Sequence, residues 1–271
     1  MVAASPVVLC LTDRVTPQRV ADVMLACGAF PAMVDNPNEL PSFASYSSAV
    51  YINAGLHNSQ VAALRALEGM ANKPLCVLDP VGYGASAFRN AEIDSVIRNI
   101  GPAVIKGTAN EIGGLAGASS VGLEADGNTE TRVALALAKK LDCIVSISGD
   151  VDDLVVGKTV DAATGKACFA VARIPGDVPV MARIAGTGSA LGAVIAAFAA
   201  SGSAEQRFSS VVGAHAMYSA AAVRAMLRSG VVGPGSLSAA FVDELYLISS
   251  NPKIASWDES FGAELQVLEY I

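Results

Sequence analysis

Short apolar runs alternate along this chain with stretches whose apolar residues return at helical spacing. The short runs are Val7–Leu11, 31–34, Ala49–Asn53, 74–78, 103–105 and 143–147, and each reads as a buried strand. After Pro17, a residue suited to the first position of a helix, Val20, Val23, Met24 and Cys27 repeat every three to four residues, and Gly28 ends the helix. Val61, Leu64, Leu67 and Met70 mark a second amphipathic helix over 60–70. Further helices are predicted over 93–100, 111–115, 131–141, 204–227 and 236–249, with Gly233-Pro234-Gly235 breaking the chain between the last two. Residues 154–156 and 158–161 read as short antiparallel edge strands. Strand–helix alternation of this kind predicts an α/β fold, a mostly parallel central sheet with helices on both faces. In such sheets ligands bind beyond the carboxyl ends of the strands. That rule selects the loops at 12–14, 54–55, 79–84, 106–111 and 148–150.

One stretch breaks the amphipathic pattern. Residues 185–200, AGTGSALGAVIAAFAA, open on two glycines and continue without a charge. The run falls short of the roughly 20 apolar residues that a bilayer requires. Its alanine content predicts a helix buried on most sides. The end of such a helix carries free N–H groups and about half a positive charge, and glycine lets an anion come close to them. Thr187 and Ser189 add hydroxyl donors beside Gly186 and Gly188.

Composition narrows the class. With 271 residues and no proline-rich, serine-rich or charge-block linker, the chain reads as a single domain over 1–271. Hydrophobic residues at 52% against 16% charged suit a large core and buried subunit interfaces. A net charge of −7 without a Lys/Arg cluster argues against a nucleic-acid partner. The five cysteines are scattered, with no C-x-x-C pair, and read as reduced thiols of a cytoplasmic protein rather than a zinc or disulfide framework. Residues 1–6 lack the pattern of a secretory signal. His215 lies in an alanine-rich helical segment and reads as a packed helix residue.

Chemistry concentrates at the strand ends. Asp79 precedes a glycine loop, DPVGYGAS, and Lys106-Gly107-Thr108-Ala109-Asn110-Glu111 carries a cation at a strand end and a carboxylate at a helix start. Asp79 and Glu111 offer hard oxygen ligands for Mg²⁺, directly or through water, and Lys106 could then meet phosphate oxygens.

Taken in order, the segments VLDPVGYGASAFR (77–89), VIKGTANEI (104–112), ISGDV (147–151), GTGSALGAVIAAFAA (186–200) and GPGS (233–236) resemble the hydroxyethylthiazole kinase family of the ribokinase-like kinases. The resemblance covers nearly the whole chain. It implies a ribokinase-like three-layer α/β/α fold and transfer of the ATP γ-phosphoryl group to the hydroxyethyl group of a methylthiazole in thiamin salvage. Mg²⁺ and a homotrimer with active sites between subunits are implied too. By the same resemblance Met33 and Gly186 contact the thiazole, and Lys106 and Ser148 contact ATP. Gly188 and Ser189, next to Thr187, form the anion hole for the migrating phosphoryl.

Several positions depart from the family's pattern. Lys106 and Ser148 stand for its usual Arg and Thr, Ser189 for its usual Cys, and Thr108 for an Asn. The early loop reads Thr12-Asp13-Arg14-Val15 in place of Thr-Asn-Asn-Val, which changes the expected acceptor pocket. Ser189 is a poor base at neutral pH, so base catalysis is weak, supplied through water or absent, with Asp150 a candidate substitute. The residues leave other readings open: a kinase for another small alcohol, a lyase resembling the nicotinamide-nucleotide hydrate dehydratases, or a degenerate binding protein without turnover.

Overall fold

The computed structural model describes residues 5–117, 127–149, 152–176, 178–251 and 263–271. Five strand–helix alternations open the chain: β1 (Val7–Leu11), α1 (Pro17–Ala26), β2 (Phe30–Ala32), α2 (Leu40–Tyr46), β3 (Ala49–Asn53), α3 (Asn58–Glu68), β4 (Leu75–Asp79), α4 (Ala87–Ile100), β5 (Val104–Gly107) and α5 (Ala109–Ala116). They continue as α6 (Gly127–Leu141), β6 (Ile144–Ile147), β7 (Asp152–Val160) and β8 (Ala167–Pro175). A 3-10 turn at Pro179–Arg183 leads into α7 (Thr187–Ser201), α8 (Arg207–Met226), α9 (Pro234–Ser250) and β9 (Glu264–Tyr270). The strands form one nine-stranded sheet in the order β2-β1-β3-β4-β5-β6-β7-β8-β9. Strands β1 to β6 run parallel, and β7, β8 and β9 are added antiparallel.

The parallel strands are apolar on both faces because helices cover both. Successive side chains point to opposite sides of the sheet. Val8, Cys10, Tyr51, Val77, Val104 and Ile144 therefore pack with α1, α7, α8 and α9. Their neighbours Leu9, Leu11, Ile52, Leu78, Ile105 and Val145 pack with α2 to α6. The alternation has a consequence at the strand ends. Asn53 follows Tyr51 by two residues, Asp79 follows Val77, Lys106 follows Val104 and Ser146 follows Ile144. All four polar groups thus fall on the face covered by α7 and α8.

The antiparallel side of the sheet differs from the sequence expectation. The two short edge strands at 154–156 and 158–161 are one continuous strand, β7, held between β6 and β8. Gly157, which separates the predicted pieces, is a packing residue: a Cβ there would stand 2.8 Å from Ile144 Cγ1 and 3.2 Å from Phe208 Cδ2. The edge on this side of the sheet, among the described residues, is β9. Strands β8 and β9 and helix α2 carry no sequence expectation. Among the described residues no helix is long and apolar enough to cross a membrane.

Candidate active site

The turn before α7 is built on glycine for two reasons. Gly186 has φ +83, a left-handed angle that L side chains rarely adopt, and a Cβ there would lie 3.0 Å from Thr16 Cγ2 on the α1 side. The first bond of the helix runs from Ala190 N–H to Gly186 O at 2.9 Å. The N–H groups of Thr187, Gly188 and Ser189 consequently have no acceptor inside the helix. Gly188 has an ordinary helical angle, and its missing side chain serves a different end: a Cβ would sit 3.4 Å from Lys106 Nζ. The lysine therefore lies directly beneath the helix N-terminus.

Lys106 is held there by Asp79. Nζ lies 3.3 Å from Asp79 Oδ2, and both side chains are about 4% exposed. Burial pushes the Asp79 carboxyl up, Lys106 pulls it down and Glu111 pushes it up again; the net effect is above the usual carboxylate range. Glu111 ties two rim loops together. Its Oε1 accepts from Gly82 N–H at 2.7 Å, and its Oε2 accepts from Thr108 N–H at 2.8 Å and Thr108 Oγ1 at 2.9 Å. Thr108 in turn caps α5 in a capping box with Glu111, a role that asparagine also fills at helix N-termini.

Asp79 and Glu111 feel each other's charge and present only oxygen, as Mg²⁺ requires. Among the described residues no group of three or more His, Cys, Asp or Glu could hold a metal alone. Two carboxylates fit an ion bound chiefly by phosphate oxygens and water.

Beside these groups a cavity of about 250 Å³ is lined by Thr108, Ser148, Gly149, Asp153, Thr187 and Gly188, with Tyr218 and Met181 on its apolar wall. The structure thus brings Asp79, Lys106, Glu111, Ser148, Thr187, Gly188 and Ser189 to one rim. Met33 stands apart: it follows β2, is 38% exposed and does not line the cavity. The Thr187 hydroxyl is turned away from its expected donor role, because Oγ1 donates to the carbonyls of Met181 and Ile184 at 3.3 Å. Asp13 is likewise engaged. Its Oδ1 accepts from Val15 N–H, Thr16 N–H and Thr16 Oγ1, each at 2.8 Å, so the carboxylate caps the start of α1. Asp150 lies outside the described residues.

Sequence reasoning missed several members of the site. Tyr51 and Asn53, both fully buried, connect Asp79 to Ser189. Asp153 lines the cavity; its Oδ2 pairs with His215 Nδ1 at 2.6 Å, and His215 Nε2 meets Ser146 Oγ at 2.6 Å. Asp153 Oδ1 accepts from Gly149 N–H at 3.1 Å, which anchors the loop carrying Ser148. For Asn53 and Ser146 a polar side chain near the end of an apolar strand was the available cue, whereas Tyr51, Asp153 and His215 carried none.

A mostly parallel sheet whose carboxyl ends meet a glycine-opened helix over a buried lysine–aspartate pair defines a ribokinase-like kinase. Solved structures bear out the fold. A pyridoxal kinase from Staphylococcus aureus superposes with a TM-score of 0.62 at 14% identity, covering 98% of this chain and 100% of that one. The chain belongs to the hydroxyethylthiazole kinase family, whose profile matches residues 1–251. It is 39% identical over 253 residues to the hydroxyethylthiazole kinase of Cutibacterium acnes, covering 90% of this chain and 85% of that one. It is 38% identical over 257 residues to that of Klebsiella pneumoniae, covering 90% and 91%. The structure of the hydroxyethylthiazole kinase protein from Pyrococcus horikoshii superposes with a TM-score of 0.77 at 26% identity, covering 98% and 94%.

Proposed function

We propose that this protein transfers the γ-phosphoryl group of ATP to the hydroxyethyl group of 4-methyl-5-(2-hydroxyethyl)thiazole, the phosphorylation step of thiamin salvage. The observation that carries this reading is the buried Lys106–Asp79 pair beneath the N-terminus of α7. Phosphoryl transfer asks for positioning and charge neutralisation more than for covalent chemistry. Lys106 and Ser148 hold the nucleotide phosphates. The N–H groups of Gly188 and Ser189 receive the migrating phosphoryl oxygens, where fixed donors in a partly dry site act without reorganising. Asp79 and Glu111 hold Mg²⁺, which neutralises phosphate charge when bound. Gly186 and Met33 contact the thiazole. Asp13 Oδ1 already takes three donors at the start of α1, which gives this carboxylate a helix-capping role in place of a ligand contact.

The test is production of ADP from ATP and Mg²⁺ with hydroxyethylthiazole and a panel of small alcohols, with the phosphorylated product identified by mass. Turnover is expected with the thiazole above all others. ADP formation only with another alcohol would move the acceptor, and no nucleotide binding at millimolar ATP in calorimetry would overturn the kinase reading.

The working form in this reading is a homotrimer, in which Met33 completes a site between subunits. Large apolar side chains at Leu25, Phe30, Tyr46 and Tyr246 are 54–59% exposed in the single chain, a liability that neighbouring subunits would remove. Light scattering at micromolar concentration is expected to give the mass of three chains; the mass of one chain would refute the trimer.

A further inference from the structure

A line of hydrogen bonds joins Asp79 to Ser189 through two fully buried side chains. Tyr51 Oη donates to Asp79 Oδ2 at 3.2 Å. Asn53 Nδ2 donates to Tyr51 Oη at 3.4 Å and to Ser189 Oγ at 2.7 Å. Asn53 Oδ1 is buried without a hydrogen-bond partner. A buried orphan acceptor is costly, so the arrangement needs a reason.

The reason lies at the far end of the line. Asp79 is paired with Lys106, and an ionised carboxylate only accepts. Tyr51 has one proton and gives it to Asp79. Its oxygen can then only accept, and the group facing it must be the N–H side of the amide. Reversing the amide would set Oδ1 against the tyrosine oxygen, lone pair to lone pair, and would bury two unpaired N–H donors in place of one acceptor. The carboxylate therefore fixes the amide, and the amide fixes what Ser189 can do. Ser189 Oγ accepts from Asn53, so its own proton is left to point elsewhere.

We propose that Asn53 is a positioning residue that sets the Ser189 hydroxyl as a hydrogen-bond donor toward the phosphoryl group held at the N-terminus of α7, and withholds it from acting as a base. The role toward a phosphoryl group rests on the kinase reading above; the polarity of the line does not. The inference also accounts for a serine at this position. A hydroxyl whose oxygen is already engaged donates through its proton, whereas a thiol there would be drawn toward its thiolate.

That contrast supplies the test. In the full chain, Ser189→Cys places a thiol at the accepting end of the line. The five native cysteines are buried, and burial pushes all their thiols up, Cys27 and Cys143 to about 12, so the introduced thiol dominates alkylation. Its rate of reaction with iodoacetamide is followed against pH, without nucleotide or acceptor. A donor on sulfur stabilises the thiolate. Adding Asn53→Ala to Ser189→Cys is expected to raise the thiol's apparent pKa by about one unit, which slows alkylation below that pKa about tenfold. Tyr51→Phe keeps the ring and its packing, frees the amide to turn, and is expected to shift the pKa in the same direction. Lys106, Asp79 and Glu111 face this turn in every variant compared; Asn53→Ala leaves their own hydrogen bonds in place, whereas Tyr51→Phe also takes a donor from Asp79, so Asn53→Ala is the primary comparison.

A fall in the pKa with Asn53→Ala would mean that the amide oxygen faces Ser189, and no change in either variant would mean that the line has no hold on this side chain. Either result overturns the proposal. A second reading uses turnover. Asn53→Ala and Ser189→Ala are expected to lower kcat rather than raise KM, and together to cost no more than the larger of the two. Full additivity would sink the positioning role. Failure of the wild type to phosphorylate the thiazole would bear on the acceptor alone, since the alkylation profile requires no substrate.

Discussion

Lys106→Met is expected to lower kcat/KM for phosphoryl transfer by about a thousandfold, while Lys106→Arg keeps activity within about tenfold of wild type. Nζ sits 3.3 Å from Asp79 Oδ2 and beneath Gly188, so it is a fixed cation beside the turn that is proposed to hold the phosphoryl group. Losing it removes about 4 kcal/mol of transition-state stabilisation. Arginine restores a cation. Steady-state kinetics decide the point, and a methionine variant with near-normal kcat/KM would take Lys106 out of the site.

The same substitution has a pH signature in stability. Burial already holds the Asp79 carboxyl above its usual range, and without Lys106 only the Tyr51 hydroxyl offsets that push. The folded protein then keeps a proton that the unfolded chain releases near about pH 4. Wherever the folded state binds more protons, stability falls as pH rises. The urea midpoint of Lys106→Met should accordingly drop, relative to wild type, between about pH 4 and the raised pKa of Asp79. A difference that stays flat across that window would mean that Asp79 does not depend on the lysine.

Gly192→Val is expected to destabilise the fold by on the order of 3 kcal/mol, and to cost activity in the molecules that remain folded. Gly192 lies on the buried face of α7 against Tyr51. An ideal Cβ there would stand 2.5 Å from Tyr51 Cε2 and 2.8 Å from its Oη. Tyr51 is fully buried in the middle of the sheet and has no room to withdraw. Its hydroxyl binds both Asp79 and Asn53, so a displaced ring disturbs the line to Ser189. Helix propensity argues the other way, since replacing a helical glycine usually gains up to about 1 kcal/mol; the clash is larger and decides the sign. Gly213→Ala is the control, because a Cβ there meets nothing nearer than Phe198 Cε1 at 4.0 Å. Thermal melting should show a fall of about 6–12 °C for Gly192→Val and none for Gly213→Ala. Equal melting temperatures would mean that close approach of α7 to Tyr51 is not needed.

The parallel half of the sheet was legible because each of its strands is an apolar run bounded by turn residues, and burial on both faces leaves that mark. The antiparallel half was not. In β7 the glycine that allows Ile144 and Phe208 to pack reads as a break, and in β9 the exposed residues of an edge strand leave little pattern. Within the site, Asp79, Lys106, Glu111 and the glycine turn announced themselves by charge or by glycine at strand ends. Asn53 and Tyr51 did not, since each has its meaning only from what faces it. Asp13 and Thr187 carried polar groups that suggested ligands, and local backbone groups claim them instead.

By itself the sequence determined the order of the parallel strands and most of the helices between them, the helix that must be buried, the rim on which the polar loops gather and the family to which they belong. All of these follow from local pattern, which survives in one dimension. Only the tertiary structure decided that Lys106 lies beneath Gly188, that Asp79 neutralises it, and that Tyr51 and Asn53 carry the sign of that charge to Ser189. These are contacts between residues as far as 136 apart in the chain, and their polarity depends on which group holds the proton at each step. A hydrogen bond has a direction only when both partners are in place, and folding is what puts them there.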